Sequence, residues 1–396
     1  MANPDIGKII KENIDKSKII NLVKALVDFE SAAPPGNEYE VGMYLAEYLQ
    51  SLGLQVELQK AAERRFNVIG RLKGTGKNPA ALVYNGHIDV VPSGEEKLWT
   101  HPPFRCTRIG DRLYGRGTSD MKGSIGAALC AIEVLQRSRV RLGGDLIVAL
   151  VADEEVSNLG MKKLLAEGLK ADYCLVGEPT NLEIAIGHRG VMAFKISAIG
   201  KSVHAAQAGQ GINAIYQAAK MIDGVKQLNR EIQERTHPLF GAATVTATTI
   251  HGGIKVNVVP DHCEIMVDRR LIPGETREQC IREIKTMLEK LKQEDEEMNC
   301  AYEVTTFCPP GGISEREVIV SLLKKEITGI LGQKAVVKGF EATCEASLLM
   351  EGTGIPTVIF GPGSIRQAHN IDEYIEIDQL IKATEIFANL YLDMLG

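Results

Sequence analysis

Histidine and carboxylate side chains stand directly behind several apolar runs of this sequence. Residues 80–84 lead into Asn85-Gly86-His87-Ile88-Asp89, residues 145–151 into Asp153-Glu154-Glu155, and residues 173–176 into Gly177-Glu178-Pro179-Thr180. Residues 356–360 lead into a Gly-Pro-Gly loop and then His369. Asp120 ends Gly115-Arg116-Gly117-Thr118-Ser119-Asp120, just ahead of a helical stretch that begins near Met121. Imidazoles and carboxylates without a thiolate suit a catalytic zinc, manganese or cobalt site rather than a closed structural zinc site. One carboxylate can bridge two cations ~3.5–4 Å apart, and such a pair polarises a carbonyl and activates water near neutral pH. Asp89, two residues beyond His87, is placed to hold that imidazole and fix its tautomer. Of two adjacent acids on a loop, one can ligate while the other faces the water as general base.

Taken singly, each of these residues has a plainer reading. A His-x-Asp is commonly a surface pair, Glu154-Glu155 a solvated loop, and Glu178 before Pro179 a turn residue. Asp120 on its own would be a helix N-cap. The argument for chemistry rests on joint placement, and that placement depends on the fold.

Short apolar runs rich in β-branched residues, bounded by turn residues, read as buried strands over 80–84, 145–151, 173–176 and 356–360. Helical stretches lie between them, such as 121–137, and others precede them over 5–29 and 38–52. The pattern predicts an α/β domain, a mostly parallel sheet flanked by helices. In such sheets ligands bind beyond the carboxyl ends of the strands. All five acidic or imidazole sites then face one crevice. The segment after Asn181 reads differently: strand 191–199, helix 211–234, paired strands 243–250 and 263–271, helix 276–291, strand 302–307. That order predicts an inserted α+β two-layer sandwich. The expected organisation is a catalytic domain over 1–182 and 309–396, interrupted by an insert over 183–308, with the return near Pro309-Pro310-Gly311-Gly312.

Composition removes other classes. The 396 residues, 44% apolar and 24% charged, suit a soluble two-domain protein. A net charge of −6 argues against a nucleic-acid partner. No apolar run approaches the ~20 residues of a membrane span, and residues 1–10 carry both charges without the apolar core of a signal peptide. Eight scattered cysteines with no Cys-x-x-Cys pair read as reduced thiols of a cytoplasmic protein.

The motifs resemble those of the family that includes acetylornithine deacetylase, succinyl-diaminopimelate desuccinylase, aminoacylase and glutamate carboxypeptidase. The matching stretches are Gly86-His87-Ile88-Asp89-Val90-Val91-Pro92, residues 115–123, Asp153-Glu154-Glu155 and Gly177-Glu178-Pro179-Thr180. Gly200-Lys201-Ser202-Val203-His204-Ala205, Asn257-Val258-Val259-Pro260, Asp268-Arg269-Arg270 and residues 368–374 follow in family order over nearly the whole chain.

The resemblance implies a hydrolase that cleaves the amide bond of an N-acyl amino acid, with two divalent cations, zinc first and cobalt or manganese as alternatives. His87 and Glu178 would bind one cation, Glu155 and His369 the other, and Asp120 would bridge them. Asp89 would orient His87. Glu154 would be the general base that later delivers its proton to the leaving amine. His204 resembles the family histidine that steadies the oxyanion in the partner subunit's site, which implies a homodimer through the inserted lid domain. Arg270 and Asn257 match substrate-contacting positions, with Arg270 on a substrate carboxylate; Arg269 competes for that role, and the motif alignment favours Arg270. A small-molecule substrate is implied, and a dipeptidase or carboxypeptidase with the same centre is the alternative. A non-catalytic scaffold is disfavoured by the complete ligand set with Glu154, and a dinuclear phosphoesterase by the motifs of the insert. One departure stands out: Ala342-Thr343-Cys344-Glu345-Ala346 carries Glu345 where many relatives have aspartate. The extra methylene falls on the substrate side rather than among the metal ligands. His101, His188, His237, His251 and His262 match no ligand motif.

Overall fold

The computed structural model of the chain describes residues 4–396. The reading of residues 1–10 as lacking a signal peptide therefore lies partly outside the described residues. The chain divides into two compact units, one made of residues up to Gly187 together with Gly312–Gly396, the other of His188–Gly311.

In the first unit the strands Asp145–Val151, Ala81–His87, Tyr173–Val176 and Thr357–Ile359 lie side by side and parallel. These are the four apolar runs read as buried strands. Arg65–Leu72 and Gln55–Ala62 extend one edge antiparallel, and Ile184–His188 joins the other side antiparallel. The sequence reading missed all three; in Arg65–Leu72 and Gln55–Ala62 polar residues break the apolar run that marks a strand buried on both faces, while Ile184–His188 is short but buried throughout.

Side-chain alternation along the parallel strands divides the core in two. Leu82, Tyr84, Leu146, Val148 and Leu150 point into one apolar layer, while Val83, Ile147, Ala149 and Val151 point into the other. The first layer is closed by helices Lys16–Val27, Lys122–Arg137 and Ile377–Leu395, the second by Leu159–Ala166 and Ala346–Thr353. Helix Lys122–Arg137 is apolar nearly all round because it is buried on nearly all sides. The long helical stretch over 5–29 is in fact two helices, Pro4–Glu12 and Lys16–Val27; Asp15 breaks it by capping the second through Ser17 N and Lys18 N.

In the second unit a four-stranded antiparallel sheet runs in the order Thr244–Gly252, His262–Leu271, Gly190–Ile199, Cys300–Cys308. Every second residue of Gly190–Ile199 is buried. Met192, Phe194 and Ile196 pack with Met221 and Val225 of helix Ala214–Ile232 and with Ile284 and Leu288 of helix Arg277–Glu294. Asn213 and Thr276 cap those helices. The element order is the strand–helix–strand–strand–helix–strand of an α+β sandwich. Among the described residues, no helix is long and apolar enough to cross a membrane.

Candidate metal centre

The parallel register sets His87 beside Val151 and Asn85 beside Val176, so the chain leaves three adjacent strands at one edge of the sheet. Phe360 N donates to Val176 O there, and the loop to His369 starts beside Glu178. Gly361 permits this approach: a Cβ on it would stand 2.6 Å from Gly177 O and 2.7 Å from Glu178 O.

Asp120 stands at the centre of the cluster. Its Oδ1 is 3.1 Å from His87 Nε2, and its Oδ2 is 3.5 Å from His369 Nε2. Glu178 Oε1 lies 3.8 Å from His87 Nε2, and Glu155 Oε2 lies 3.2 Å from His369 Nε2. One carboxylate thus divides the five side chains into two sets, His87 with Glu178 and His369 with Glu155. Ligating atoms of His87, Asp120 and Glu155 all lie within 4.8 Å of one another.

Asp120 is not the helix cap that its sequence position alone suggests; Met121 holds that place and no side chain caps it. The turn before it needs Gly117, whose φ of +86° is open to glycine without strain. Two further loop residues, Asp153 (φ +67°) and His369 (φ +63°), sit in the left-handed region, at a cost of about 1–3 kcal/mol each. Asp153 is held there by an ion pair to Arg65 at 2.6 Å, and Arg65 also pairs with buried Glu38.

Asp89 does more than its motif suggests. The nearest partner of His87 Nδ1 is the Asp89 backbone oxygen at 3.0 Å, with the carboxylate Oδ1 at 3.7 Å. An Nδ1–H donated to that oxygen leaves Nε2 as the free lone pair that a ligand needs. The Asp89 carboxylate accepts the N–H groups of Glu154 and Glu155, both at 3.1 Å. It therefore ties the acidic loop to the His87 strand.

The charges respond to this crowding. Burial resists ionisation of Asp120, but its hydrogen bonds to His369 and His87 hold the carboxyl well below its ordinary value. The bonds to Asp120 and Glu155 push His369 up to about 10, against a smaller opposing effect of burial. Burial and the neighbouring carboxylates, Glu178 and Glu155 among them, hold Glu154 well above the ordinary carboxylate range, opposed by His87. Two imidazoles and three carboxylates so arranged leave more acid than base in one place.

The model of the peptidase family M20/M25/M40 matches residues 83–393, a span that contains all five of these side chains. The chain belongs to that family. It is 31% identical to the acetylornithine deacetylase of Photorhabdus laumondii over 87% of this chain and 88% of the relative. It is 29% identical to the N-formyl-4-amino-5-aminomethyl-2-methylpyrimidine deformylase of Bacillus subtilis, over 95% and 94%. Its fold is similar to that of aminopeptidase PepT from Bacillus cereus, with a TM-score of 0.81 at 21% identity, covering 96% of this chain and 99% of that one.

Within this M20-family chain the other singled-out residues lie in the second unit. His204 ends a two-residue strand and starts the short helix Ala205–Gln210, where its Nδ1 accepts the N–H of Ala206 at 3.1 Å. In the neutral ring that leaves Nε2–H as a donor. Asn257 lies in an exposed turn whose backbone oxygen accepts from Ala205 N at 3.0 Å. Arg269 is fully buried, bonded to Glu275 at 2.5 Å and to backbone oxygens of Thr244 and Arg270. Arg270 is half exposed and paired with Asp268 at 2.8 Å. Of the two arginines, only Arg270 presents its guanidinium to solvent.

Two acids outside the assigned set emerge from the structure. One is Glu373, fully buried behind the Asp120 turn, where it accepts the Asp120 N–H at 3.1 Å. Glu345 is fully buried at the start of helix Ala346–Thr353, and neither carboxylate oxygen has a hydrogen-bond partner. Burial raises it to about 8, with Asp89 and Glu155 adding to the rise and His87 opposing it. A group whose folded pKa is raised contributes stability below its unfolded pKa and loses it as pH rises through the folded value. The metal-free protein should therefore lose stability between about pH 4.5 and about 8. Glu345→Gln removes that titration. We expect thermal melts of the chelated variant to fall less steeply over this range than those of the parent, by about a few degrees at pH 8. Parallel slopes would show that Glu345 does not titrate there.

Proposed function

We propose that this chain hydrolyses the amide bond of an N-acyl amino acid at a pair of divalent cations held by His87, Asp120, Glu155, Glu178 and His369. The observation that carries this reading is the position of Asp120, with one oxygen toward each imidazole. The donor set fits the group: two imidazoles and three carboxylates, crowded in one place, with an excess of acid that cations would neutralise. When bound, such a pair polarises the amide carbonyl and lowers the pKa of water.

The protein's residues do the rest. Glu154, half-buried and next to the ligand Glu155, takes the proton of the attacking water and returns it to the leaving nitrogen. Loss of water around its carboxyl raises its affinity for that proton. Asp89 keeps the acidic loop and His87 in fixed relation. His204, with Nε2–H as a donor, serves the oxyanion in the partner subunit's site; Arg270 holds the substrate's carboxylate, and Asn257 contacts the substrate. The ligand set suits zinc, with cobalt or manganese as substitutes.

We read the unit His188–Gly311 as lid and homodimer contact. Its edge strand Thr244–Gly252 has one unpaired side, and Ile254 and Val256 beside it are 91% and 99% exposed. The eight cysteines, scattered with no Cys-x-x-Cys pair, support a reducing, cytoplasmic setting.

The test is hydrolysis of N-acetyl amino acids, N-succinyl-diaminopimelate, an N-formyl amine and dipeptides, with zinc, cobalt, manganese or chelator present. Metal-dependent cleavage of the N-acyl compounds, with dipeptides at least about 10-fold slower in kcat/KM, is the expected outcome. Faster dipeptide cleavage would make the chain a peptidase with the same centre. Cleavage that survives the chelator would overturn the reading.

A further inference from the structure

The loop that carries the bridging ligand is not held by its own strand. Glu373, fully buried, reaches it from the far end of the chain. Its Oε1 accepts the N–H groups of Ser119 at 2.7 Å and Asp120 at 3.1 Å. Its Oε2 accepts from Gly117 N at 3.0 Å and from the Arg116 guanidinium at 2.8 Å. In return, Gly115 N donates to the Glu373 backbone oxygen at 2.9 Å. Strand Tyr374–Glu376 then pairs with Arg112–Tyr114, and Ser119 exchanges hydrogen bonds with the backbone of Ser364. Glu373 lies four residues after His369, so this one carboxylate joins the Asp120 turn to the loop that carries His369.

We propose that Glu373 is the positioning residue that makes the two cation positions interdependent, by fastening the turn of the shared ligand Asp120 to the loop of His369. The proposal rests on the dinuclear reading above. Four donors on one buried carboxylate leave it no lone pair for a cation, so Glu373 acts through Asp120 and His369. His87, Glu155 and Glu178 stand at the ends of sheet strands and do not depend on it. The position served by His87 and Glu178 therefore keeps its strand-end ligands when Glu373 changes. The position served by Glu155 and His369 loses the brace on its histidine loop, while Asp120, hydrogen-bonded to His87 at 3.1 Å, stays with the other position.

In Glu373→Gln, an NH2 group would face backbone N–H donors or Arg116, and the turn could not keep its place. The experiment is a Co2+ titration of the chelator-stripped full chain, followed by calorimetry and by visible absorption of the bound ion. The expected result for the parent is two equivalents per chain. In Glu373→Gln the first equivalent should bind within about 3-fold of the parent, while the second weakens about 10–100-fold with altered absorption bands. If that variant does not fold, Glu373→Asp carries the test, since it keeps the charge but draws it back by one methylene. Isotherms and spectra identical to the parent would overturn the proposal, and so would equal weakening of both equivalents, which marks a merely structural role. A parent that binds fewer than two equivalents would instead sink the dinuclear reading, and the proposal with it.

Discussion

Replacing Glu154 by alanine is expected to lower kcat about 10²–10⁴-fold, the span a positioned general acid–base group contributes. Metal content should not change. Glu154 belongs to neither imidazole set around Asp120, and its backbone N–H, which anchors the loop to Asp89, survives the substitution. KM should stay within a few-fold, because the proton transfer is made in the transition state and not on binding. The loss should ease toward high pH, where solvent hydroxide substitutes for the missing base. Steady-state kinetics with metal analysis of the same samples check this. A variant that loses metal together with activity would place Glu154 among the ligands.

The second large effect is expected at Asp120. Its two oxygens serve both imidazoles, so Asp120→Ala should weaken both cations at once. His87→Ala or His369→Ala should weaken mainly one. Without cations, protons do the neutralising: hydrogen bonds to Asp120 and Glu155 hold His369 protonated up to about 10, and at His87 burial is outweighed by the Asp120 hydrogen bond together with the charges of Glu154, Asp120 and Asp89. A cation must displace these protons, so affinity should rise with pH between 6 and 8, with proton release on binding. The stability of the chelated protein runs the other way. Histidines with raised folded pKa stabilise fully below their unfolded value and lose that stability as pH rises through the folded one. The gain in melting temperature on adding zinc should therefore be larger at pH 8 than at pH 6 for the parent, and near zero at both for Asp120→Ala. An Asp120→Ala protein with the parent's zinc-dependent gain would contradict the bridging role.

Much of the fold was legible because its determinants are local. The four parallel strands are continuous apolar runs, and the buried helix Lys122–Arg137 is apolar throughout. The antiparallel edges were not legible, since Gln55–Ala62 mixes polar and apolar residues on a surface that is partly wet. The sequence reading put the insert at 183–308, and the structure divides the chain at Gly187 and Gly311. The acids at strand ends were visible, but the braces behind them were not. Arg65, Glu38 and Asp153 lie far apart in sequence and meet only through the sheet. Glu373 sits inside a recognised motif, yet its partners lie more than 250 residues away, and no spacing rule announces them. Glu345 was visible as a departure in residue type. Its burial without a partner was not, because that depends on how helix Ala346–Thr353 meets the core.

The most direct test of the metal centre is to strip the protein with chelator, return zinc in measured steps, and follow bound metal and N-acyl amino acid hydrolysis in the same samples. Activity that returns with bound zinc and levels off at two equivalents per chain is the predicted result. Full activity in the stripped protein, or zinc that binds without restoring hydrolysis of any acyl compound, would contradict it.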